Sequence, residues 1–252
     1  MFNILIWKQN PTKTNKTILL VEFDSLRYRK FFENLSLTPL NFLLYNRRKP
    51  SIWNFSSFSV IRKSGCGIIT LNSIYDSVAK TRTDKNLQSI NSKIQTLWKH
   101  DDFFKSFFSI NGTSFWTAFK PIFQELFTKR TLESISEIEI TKRIFEKNKI
   151  NSILVLSEIG PTEQILVKLA KKLGIKIILL QHGLYFDSES TGAVNMNKFQ
   201  GVYPIDADKY VVWGKIEEIN QIRNGVSKEK LLVLGSPQHD DGFNVEENNS
   251  QN

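Results

Sequence analysis

Short apolar runs alternate with amphipathic stretches in the first third of the chain. Residues 17–23, 37–45 and 67–71 have the hydrophobic content of core strands. The intervening residues 24–35 and 56–63 have helical character, and Asp24 or Ser25 is placed to cap the first of these helices. This β-α-β-α-β order predicts a parallel sheet with right-handed crossovers.

Residues 73–148 follow a different pattern, in which apolar side chains recur at helical spacing. Many phenylalanines and tryptophans cluster there, and residues 103–108 read Phe-Phe-Lys-Ser-Phe-Phe. We expect this segment to be a helical insertion that packs on the sheet. A membrane-facing or acceptor-binding surface is the alternative interpretation of residues 103–108.

The alternation of predicted strands and helices resumes from residue 151 onward. Pro161 and Ile216 lie near the starts of two predicted helices, and Gly174 and Gly225 follow their ends. A polar loop is expected over residues 184–206, and the polar residues 246–252 read as a disordered tail. Strands are predicted over residues 152–156, 175–180, 207–214 and 231–235.

The most informative segment is residues 175–183, Ile-Lys-Ile-Ile-Leu-Leu-Gln-His-Gly. Its apolar part suits a strand buried on both faces, and polarity then begins abruptly at Gln181-His182-Gly183. Ligands of open α/β sheets bind at the carboxyl ends of the strands. An imidazole there exchanges a proton near neutral pH, and a glycine lets a ligand approach the backbone closely. This strand end is therefore the first candidate for a functional site.

The net charge and the cysteine content indicate which partners and which cellular compartment to expect. The net charge of +9 favours phosphates, nucleotides, nucleic acid or an acidic membrane face, without choosing among them. The lysines are dispersed and no known nucleic-acid-binding motif is present, so nucleic acid is not the expected partner. Cys66 is the only cysteine, which excludes an intrachain disulfide and a cysteine metal site and favours a reducing cytoplasm.

Targeting and metal signals are absent from the sequence. The apolar run at residues 1–7 is too short for a signal peptide, and no segment approaches the ~20 apolar residues of a membrane span. We therefore expect a cytoplasmic protein, soluble or peripheral at the inner face of the membrane. His100, His182 and His239 show no metal-ligand spacing, and no phosphate-cradling Gly-x-x-x-x-Gly-Lys loop occurs.

Several motifs follow one another at the ends of the predicted strands. The upstream ones are Val21-Glu22-Phe23 with Arg27-Tyr28, Asn46-Arg47-Arg48 with Pro50 and Trp53, and Ser157-Glu158. The downstream ones are Gln181-His182-Gly183, Ala207-Asp208 with Val212-Trp213-Gly214, and Gly225-Val226 with Lys230, Val233-Leu234-Gly235-Ser236-Pro237 and Asp240. The order of the downstream motifs resembles the GT-B glycosyltransferases of surface polysaccharide biosynthesis. It is similar also to the CDP-glycerol glycerophosphotransferases and, more distantly, to the UDP-N-acetylglucosamine 2-epimerase fold. The upstream motifs resemble the amino-terminal domain of one archaeal and bacterial branch of that group.

The resemblance implies an α/β fold: a Rossmann-like parallel sheet with helices on both faces and a helical insertion, as one half of a GT-B architecture. The acceptor-side domain would cover residues 17–235. In the family, the motif at Gly235-Ser236-Pro237 marks the crossing to a second, donor-binding domain. Residues 236–252 would then be a truncated crossing and a tail. We expect a fragment, a split gene product or a degenerate copy, and the sequence leaves open whether it is active alone.

The resemblance also implies a reaction and its partners. A sugar or polyol phosphate would pass from a nucleotide-linked donor, such as a nucleotide sugar, to a surface glycan or lipid-linked acceptor. The nucleotide donor is a substrate, and no permanently bound cofactor or catalytic metal is expected. A separate carboxyl-terminal half would be a protein partner.

Each candidate residue has a chemical role and a structural alternative. His182 would be the general base that deprotonates the acceptor hydroxyl. Glu158 would orient His182 or bind acceptor hydroxyls, or else complement a helix dipole. Arg47 and Arg48 would grip a phosphate, or else form a solvated basic loop. The remaining predicted substrate-binding residues are Gln181, Gly183, Ser236 and His239.

Two other functions remain open from the sequence. The chain could be a non-catalytic domain that binds a glycan or nucleotide, or that docks a separate partner. It could instead be a fragment of a nucleotide-sugar epimerase, which shares the fold.

Overall fold

The computed structural model describes residues 16–183 and 203–239. Several sequence-based predictions fall outside these ranges, and they remain predictions. They concern residues 1–7, most of the loop at 184–206, Asp240 and the tail at 246–252.

One seven-stranded sheet organises most of the described chain. Its strand order is β3-β2-β1-β6-β7-β8-β9, and every neighbouring pair is parallel. The central strands are buried, because helices cover a parallel sheet on both faces. The strands are β1 (Thr17–Val21), β2 (Asn41–Tyr45), β3 (Gly67–Ile68), β6 (Ile150–Val155), β7 (Lys176–Leu180), β8 (Lys209–Val212) and β9 (Leu231–Val233).

The strand order reverses at β1, which pairs with β2 on one side and with β6 on the other. Right-handed crossovers then place the helices after β1 and β2 on the opposite face from those after β6 and β7. The order from β3 to β8 is that of a doubly wound Rossmann sheet, whose ligands bind where the order reverses. The predicted Rossmann-like α/β fold is therefore confirmed, and the reversal point lies between the ends of β1 and β6.

The helices begin and end at residues suited to those places. Asn54 caps α2 in a reciprocal capping box with Ser57, and Gly65 ends the helix with a left-handed φ of 65°. Pro161 occupies the first turn of α7, where its missing N–H costs nothing. The helices are α1 (Arg29–Leu35), α2 (Phe55–Ser64), α3 (Leu71–Ile74), α4 (Ser77–Leu97), α5 (Asp101–Phe107), α6 (Trp116–Lys147), α7 (Pro161–Lys172) and α8 (Lys215–Arg223).

The first helix and the second strand begin later than the sequence predicts. The first helix begins at Arg29 rather than near residue 25, because the Asp24 carboxylate accepts the Leu26 and Arg27 amides in a turn. The second strand begins at Asn41 rather than at residue 37. Pro39 lacks the N–H that a strand pair requires, so the backbone turns before it joins the sheet.

The chain divides into two compact units, of which the first contains the sheet and the second is residues 71–144. The second unit is built around stacked aromatic rings. The Trp116 ring lies 4.5 Å from the Phe104 ring and 5.2 Å from the Phe108 ring, nearly parallel to both. Its indole N–H donates to Asp101, which also accepts from Lys120. No helix in the described ranges is long and apolar enough to cross a bilayer.

A short antiparallel hairpin in the second unit is not predicted by the sequence reading. It consists of β4 (Ser109–Ile110) and β5 (Thr113–Ser114), joined by Asn111 and Gly112 at φ values of 51° and 79°. Asn-Gly is the dipeptide most favoured in a two-residue hairpin turn. That dipeptide is the signal from which the hairpin could have been found.

The buried centre of the sheet gives the first testable prediction. Leu44 on β2 is 0% exposed, and Leu44→Ala should lower the free energy of unfolding by about 2–5 kcal/mol, because it leaves a cavity. Leu37 is 81% exposed, and Leu37→Ala should change it by less than about 0.5 kcal/mol. Urea unfolding followed by circular dichroism measures both. Equal effects of the two substitutions would contradict the assigned strand.

Candidate functional site

Most of the predicted site residues follow strands of the parallel sheet. Because parallel strands end at the same edge, the segments after β1, β2, β6, β7, β8 and β9 all leave the sheet on one side. His182 follows β7, the arginines follow β2, and Ser236 and His239 follow β9. The architecture therefore places the predicted residues along a single edge, with β1 and β6 at the reversal point.

His182 is tied to the ends of both strands at the reversal point. Arg27, which follows β1, donates from Nη2 to the His182 carbonyl at 3.1 Å. The imidazole hydrogen-bonds to the backbone of Leu156, directly after β6. Burial lowers the pKa of His182, the Arg27 charge lowers it further, and the bond to Leu156 opposes both. A neutral ring that donates one N–H to a carbonyl keeps a lone pair on its other nitrogen.

Glu158 is held by backbone groups of the segment that leads into β8. Its buried carboxylate accepts the amides of Ile205 at 2.5 Å and Asp206 at 2.9 Å, and also that of Ala207. Burial raises the pKa of Glu158, and the three backbone bonds oppose the increase. Through these contacts Glu158 holds the backbone ahead of β8. The sequence analysis predicted instead that Glu158 orients His182 or binds acceptor hydroxyls.

Gln181 joins the ends of β7 and β8 rather than facing outward. Its buried amide accepts the Trp213 N–H at 2.8 Å and donates to the Gly183 carbonyl at 2.9 Å. The Trp213 indole donates in turn to the Gln181 carbonyl at 2.9 Å. Among the described residues, no atom lies within 4 Å of the position that a Cβ on Gly183 would take. The Gln181 side chain therefore holds the backbone around His182 in place, because it bonds to the Gly183 carbonyl and to the Trp213 N–H.

Arg48 bridges two buried carboxylates across the reversal point. Its guanidinium lies 3.5 Å from Glu22, which follows β1, and forms an ion pair with Glu163 in the first turn of α7. The Arg48 side chain itself is 62% exposed, so the pair lies at the boundary between protein and solvent. Burial raises the pKa of Glu163, and the Arg48 charge opposes the increase. Arg47 is exposed beside it.

Glu22 fixes the loop that carries the two arginines. It adopts a left-handed φ of 61°, which is uncommon for a residue with a side chain. In this conformation its Oε1 accepts the Arg47 amide at 2.7 Å and the Arg48 amide at 3.3 Å. The polar end of β1 therefore dictates where the loop after β2 lies. Such a backbone conformation is one that occurs often at functional sites.

Ser236 and His239 come together at the end of β9. The Ser236 hydroxyl lies 2.8 Å from Nδ1 of His239, and the His239 ring packs edge-on against Trp213 at 5.0 Å between ring centres. Trp213 also binds Gln181, so a chain of contacts joins the β9 end to the β7 end. His182 and His239 are thus joined through Trp213 and Gln181 within one site region.

Sequence reasoning missed three functional candidates at this edge: Glu22, Arg27 and Glu163. Glu22 is the first polar residue after the apolar run of β1, which is the signal that could have singled it out. Glu163 reads in sequence as an ordinary acid in a first helical turn. No local signal relates it to Arg48, because their contact spans 115 positions along the chain. Within the described ranges, no three side chains of the metal-binding types come together as a metal site.

No known family profile matches the chain. No curated protein matches it either. Among solved structures, it is similar to UDP-GlcNAc 2-epimerase from Methanocaldococcus jannaschii at a TM-score of 0.46 and 10% identity, covering 94% of this chain and 50% of that one. The Neisseria meningitidis enzyme bound to UDP-GlcNAc gives a TM-score of 0.47 at 10% identity, covering 93% and 51%. The Rickettsia bellii enzyme gives 0.41 at 10% identity, covering 94% and 49%. The chain spans about half the length of these structures.

The surroundings of His182 predict its titration. Because burial and Arg27 both disfavour the charged ring, its pKa should lie below the ordinary value of about 6.5. Arg27→Gln should raise the pKa, whereas Arg29→Gln, at an exposed position on α1, should leave it unchanged. NMR titration of the histidine ring protons measures this, with His100→Asn and His239→Asn identifying the signals. The described environment would be contradicted if the pKa of His182 lies at or above the ordinary value and does not change when Arg27 is replaced.

Proposed function

We propose that this chain is the acceptor-side part of a GT-B type transferase. It would take part in moving a sugar or polyol phosphate from a nucleotide-linked donor to a surface glycan. The observation that carries the proposal is the position of His182. It follows β7 at the carboxyl edge of the sheet, its carbonyl accepts from Arg27 next to the reversal point, and its lowered pKa favours the neutral base.

In this proposal His182 takes the proton of an acceptor hydroxyl. The hydroxyl oxygen then forms a bond to the anomeric carbon of the donor sugar, or to phosphorus when a polyol phosphate is transferred. The bond from that atom to the nucleotide's phosphate oxygen breaks, and the nucleotide leaves with the electron pair. A second Rossmann-like half would hold the nucleotide, either further along a longer chain or in a separate partner. No resident cofactor takes part in these steps.

The other residues would bind or position the reacting groups. Arg47 and Arg48 would bind a donor or acceptor phosphate, and at Arg48 the phosphate would compete with the two carboxylates already paired with it. Glu158 and Gln181 would act as positioning residues, since both hold backbone next to the site. Ser236 and His239 would approach the donor from the β9 end. The acceptor would approach the backbone closely at Gly183, which has no side chain.

An assay of nucleotide release tests the reaction. The chain is incubated with a panel of nucleotide sugars and polyol-linked nucleotides, alone and together with a protein that supplies a second Rossmann-like half. His182→Ala should reduce turnover by about 10²–10⁴-fold, the usual contribution of a general base. His100→Ala, at an exposed position in the second unit, should leave it unchanged.

Circular dichroism of both variants establishes that each remains folded. Turnover that survives in His182→Ala would remove the proposed base. Conversion of the donor sugar without nucleotide release would favour an epimerase instead, and failure of every donor would argue for a binding-only domain.

We also propose a peripheral membrane contact through the second unit. Phe103, Phe107, Ile110 and Phe115 are exposed apolar side chains on α5 and at the hairpin. The Phe103 and Phe107 rings stack at 6.1 Å, and Lys105 lies between them in sequence. Exposed aromatic residues beside basic ones are typical of surfaces that enter the interfacial layer of an anionic bilayer.

Vesicle co-sedimentation tests this contact. The chain should bind vesicles of phosphatidylglycerol and phosphatidylcholine, and the double substitution Phe103→Ser and Phe107→Ser should abolish binding because it removes the apolar anchor. Phe55→Ser is the matched control, since Phe55 is 83% exposed but belongs to the first unit. Absence of binding by the unaltered chain, or equal loss in the control, would contradict the proposal.

A further inference from the structure

A small cavity lies beside the carboxyl ends of β1 and β2. Its volume is about 30 Å³, and Glu22, Ser25, Asn46, Lys49 and Trp53 are among the residues that line it. A space of this size holds one water molecule or one hydroxyl group. It lies at the same edge of the sheet as His182, but none of the roles proposed above uses its central groups.

Two buried polar atoms at this cavity lack partners among the described residues. Ser25 is 1% exposed, and its hydroxyl has no hydrogen-bond partner. The Asn46 amide donates to the Phe23 carbonyl at 2.9 Å, but its Oδ1 is also buried without a partner. Buried polar groups are nearly always satisfied, and each one left unpaired costs about 1–3 kcal/mol. Both atoms are therefore suited to a ligand group that donates to Asn46 and pairs with Ser25.

The charges around the cavity select the kind of group. Glu22 and Asp24 present carboxylates, which disfavour a phosphate. The Lys49 ammonium is paired with Asp24 and lies at the same cavity, which disfavours a ligand cation. Hydrogen bonds from Lys49 and two backbone amides outweigh the effect of burial and lower the pKa of Asp24, so this pair remains charged. A neutral hydroxyl adds no charge, and it can donate to Asn46 Oδ1 or pair with the Ser25 hydroxyl.

Trp53 supplies a flat apolar surface at the mouth of the cavity. The indole is 46% exposed, and the Lys49 ammonium lies 4.4 Å from its ring centre. The cation–π contact and the neighbouring Pro50 restrict the loop that carries the ring. The C–H groups of a sugar ring or polyol chain pack against such a surface while one of their hydroxyls enters the cavity.

We propose that Ser25, Asn46 and Trp53 form a subsite for a neutral polyhydroxylated ligand, one hydroxyl of which fills the cavity beside the carboxyl ends of β1 and β2. The proposal rests on the proposed transferase function and deepens it, since this subsite would hold the acceptor glycan or polyol. Binding at the subsite requires neither a donor nor the second half. Its test is therefore independent of the turnover assay.

The test is ligand binding by the chain alone, measured by saturation-transfer NMR and tryptophan fluorescence. The probes are glucose, N-acetylglucosamine, glycerol and inorganic phosphate, each tested separately. We expect at least one neutral probe to bind. Ser25→Ala and Trp53→Ala should each weaken it by about tenfold, the effect of one lost hydrogen bond or packing contact. Ser36→Ala and Phe55→Ala, at exposed positions outside the cavity lining, should not weaken binding.

Ser25→Ala has a second readout that separates binding from folding. Removing a buried hydroxyl that has no partner should leave the unfolding midpoint unchanged or raise it, while sugar binding falls. A preference for glycerol over the sugars would identify a polyol acceptor, and the reverse preference a glycan. The proposal would be overturned if no neutral probe binds, or if inorganic phosphate binds more strongly than the neutral probes. It would also be overturned if neither substitution changes the affinity, because the cavity would then hold only water.

Discussion

The burial of β1 is the constraint on which the rest of the structure depends. Leu19, Leu20 and Val21 are fully buried, and the strand has a parallel neighbour on each side. A strand enclosed on both faces must be apolar along its length, so its polar residues are displaced to its end. Glu22 and Asp24 follow at once, and they organise the loop after β2 and the turn before α1. The polar residues of this edge therefore lie next to the point where the strand order reverses.

Buried carboxylates at this edge act mainly on backbone and on cations. Glu22 receives the amides of the arginine loop, Glu158 those of the segment before β8, and Glu163 the guanidinium of Arg48. Each carboxylate is largely removed from water and accepts donors that the fold supplies, but Oε2 of Glu163 is buried without a hydrogen-bond partner among the described residues. The histidine differs, because a neutral imidazole carries a lone pair that can accept a proton. This contrast separates the residue proposed for proton transfer from those proposed to position it.

The sequence allowed the regular elements of the sheet to be predicted well. The run at residues 175–180, Gly174 before it and Pro161 at the start of α7 are local signals, and the structure places β7 and α7 accordingly. The short strand β3 was predicted too long, because it lies at the sheet edge and pairs only with β2. The partners of Glu158 and Glu163 could not be predicted. They depend on which strands become neighbours, and that is decided by packing between distant segments rather than by local spacing.

The bridge formed by Arg48 has a consequence for how tightly an anion could be held. Glu22 and Glu163 already pair with the guanidinium, so a phosphate that binds Arg48 must compete with two carboxylates. If Arg48 left the two glutamates to bind a phosphate, their carboxylates would be buried without a counterion. That cost would lower the affinity for the phosphate. Acidification relaxes the competition, because Glu163 takes up a proton more readily than an ordinary glutamate. An anion that binds Arg48 would therefore compete with two carboxylates, and with Glu163 less strongly as the pH falls.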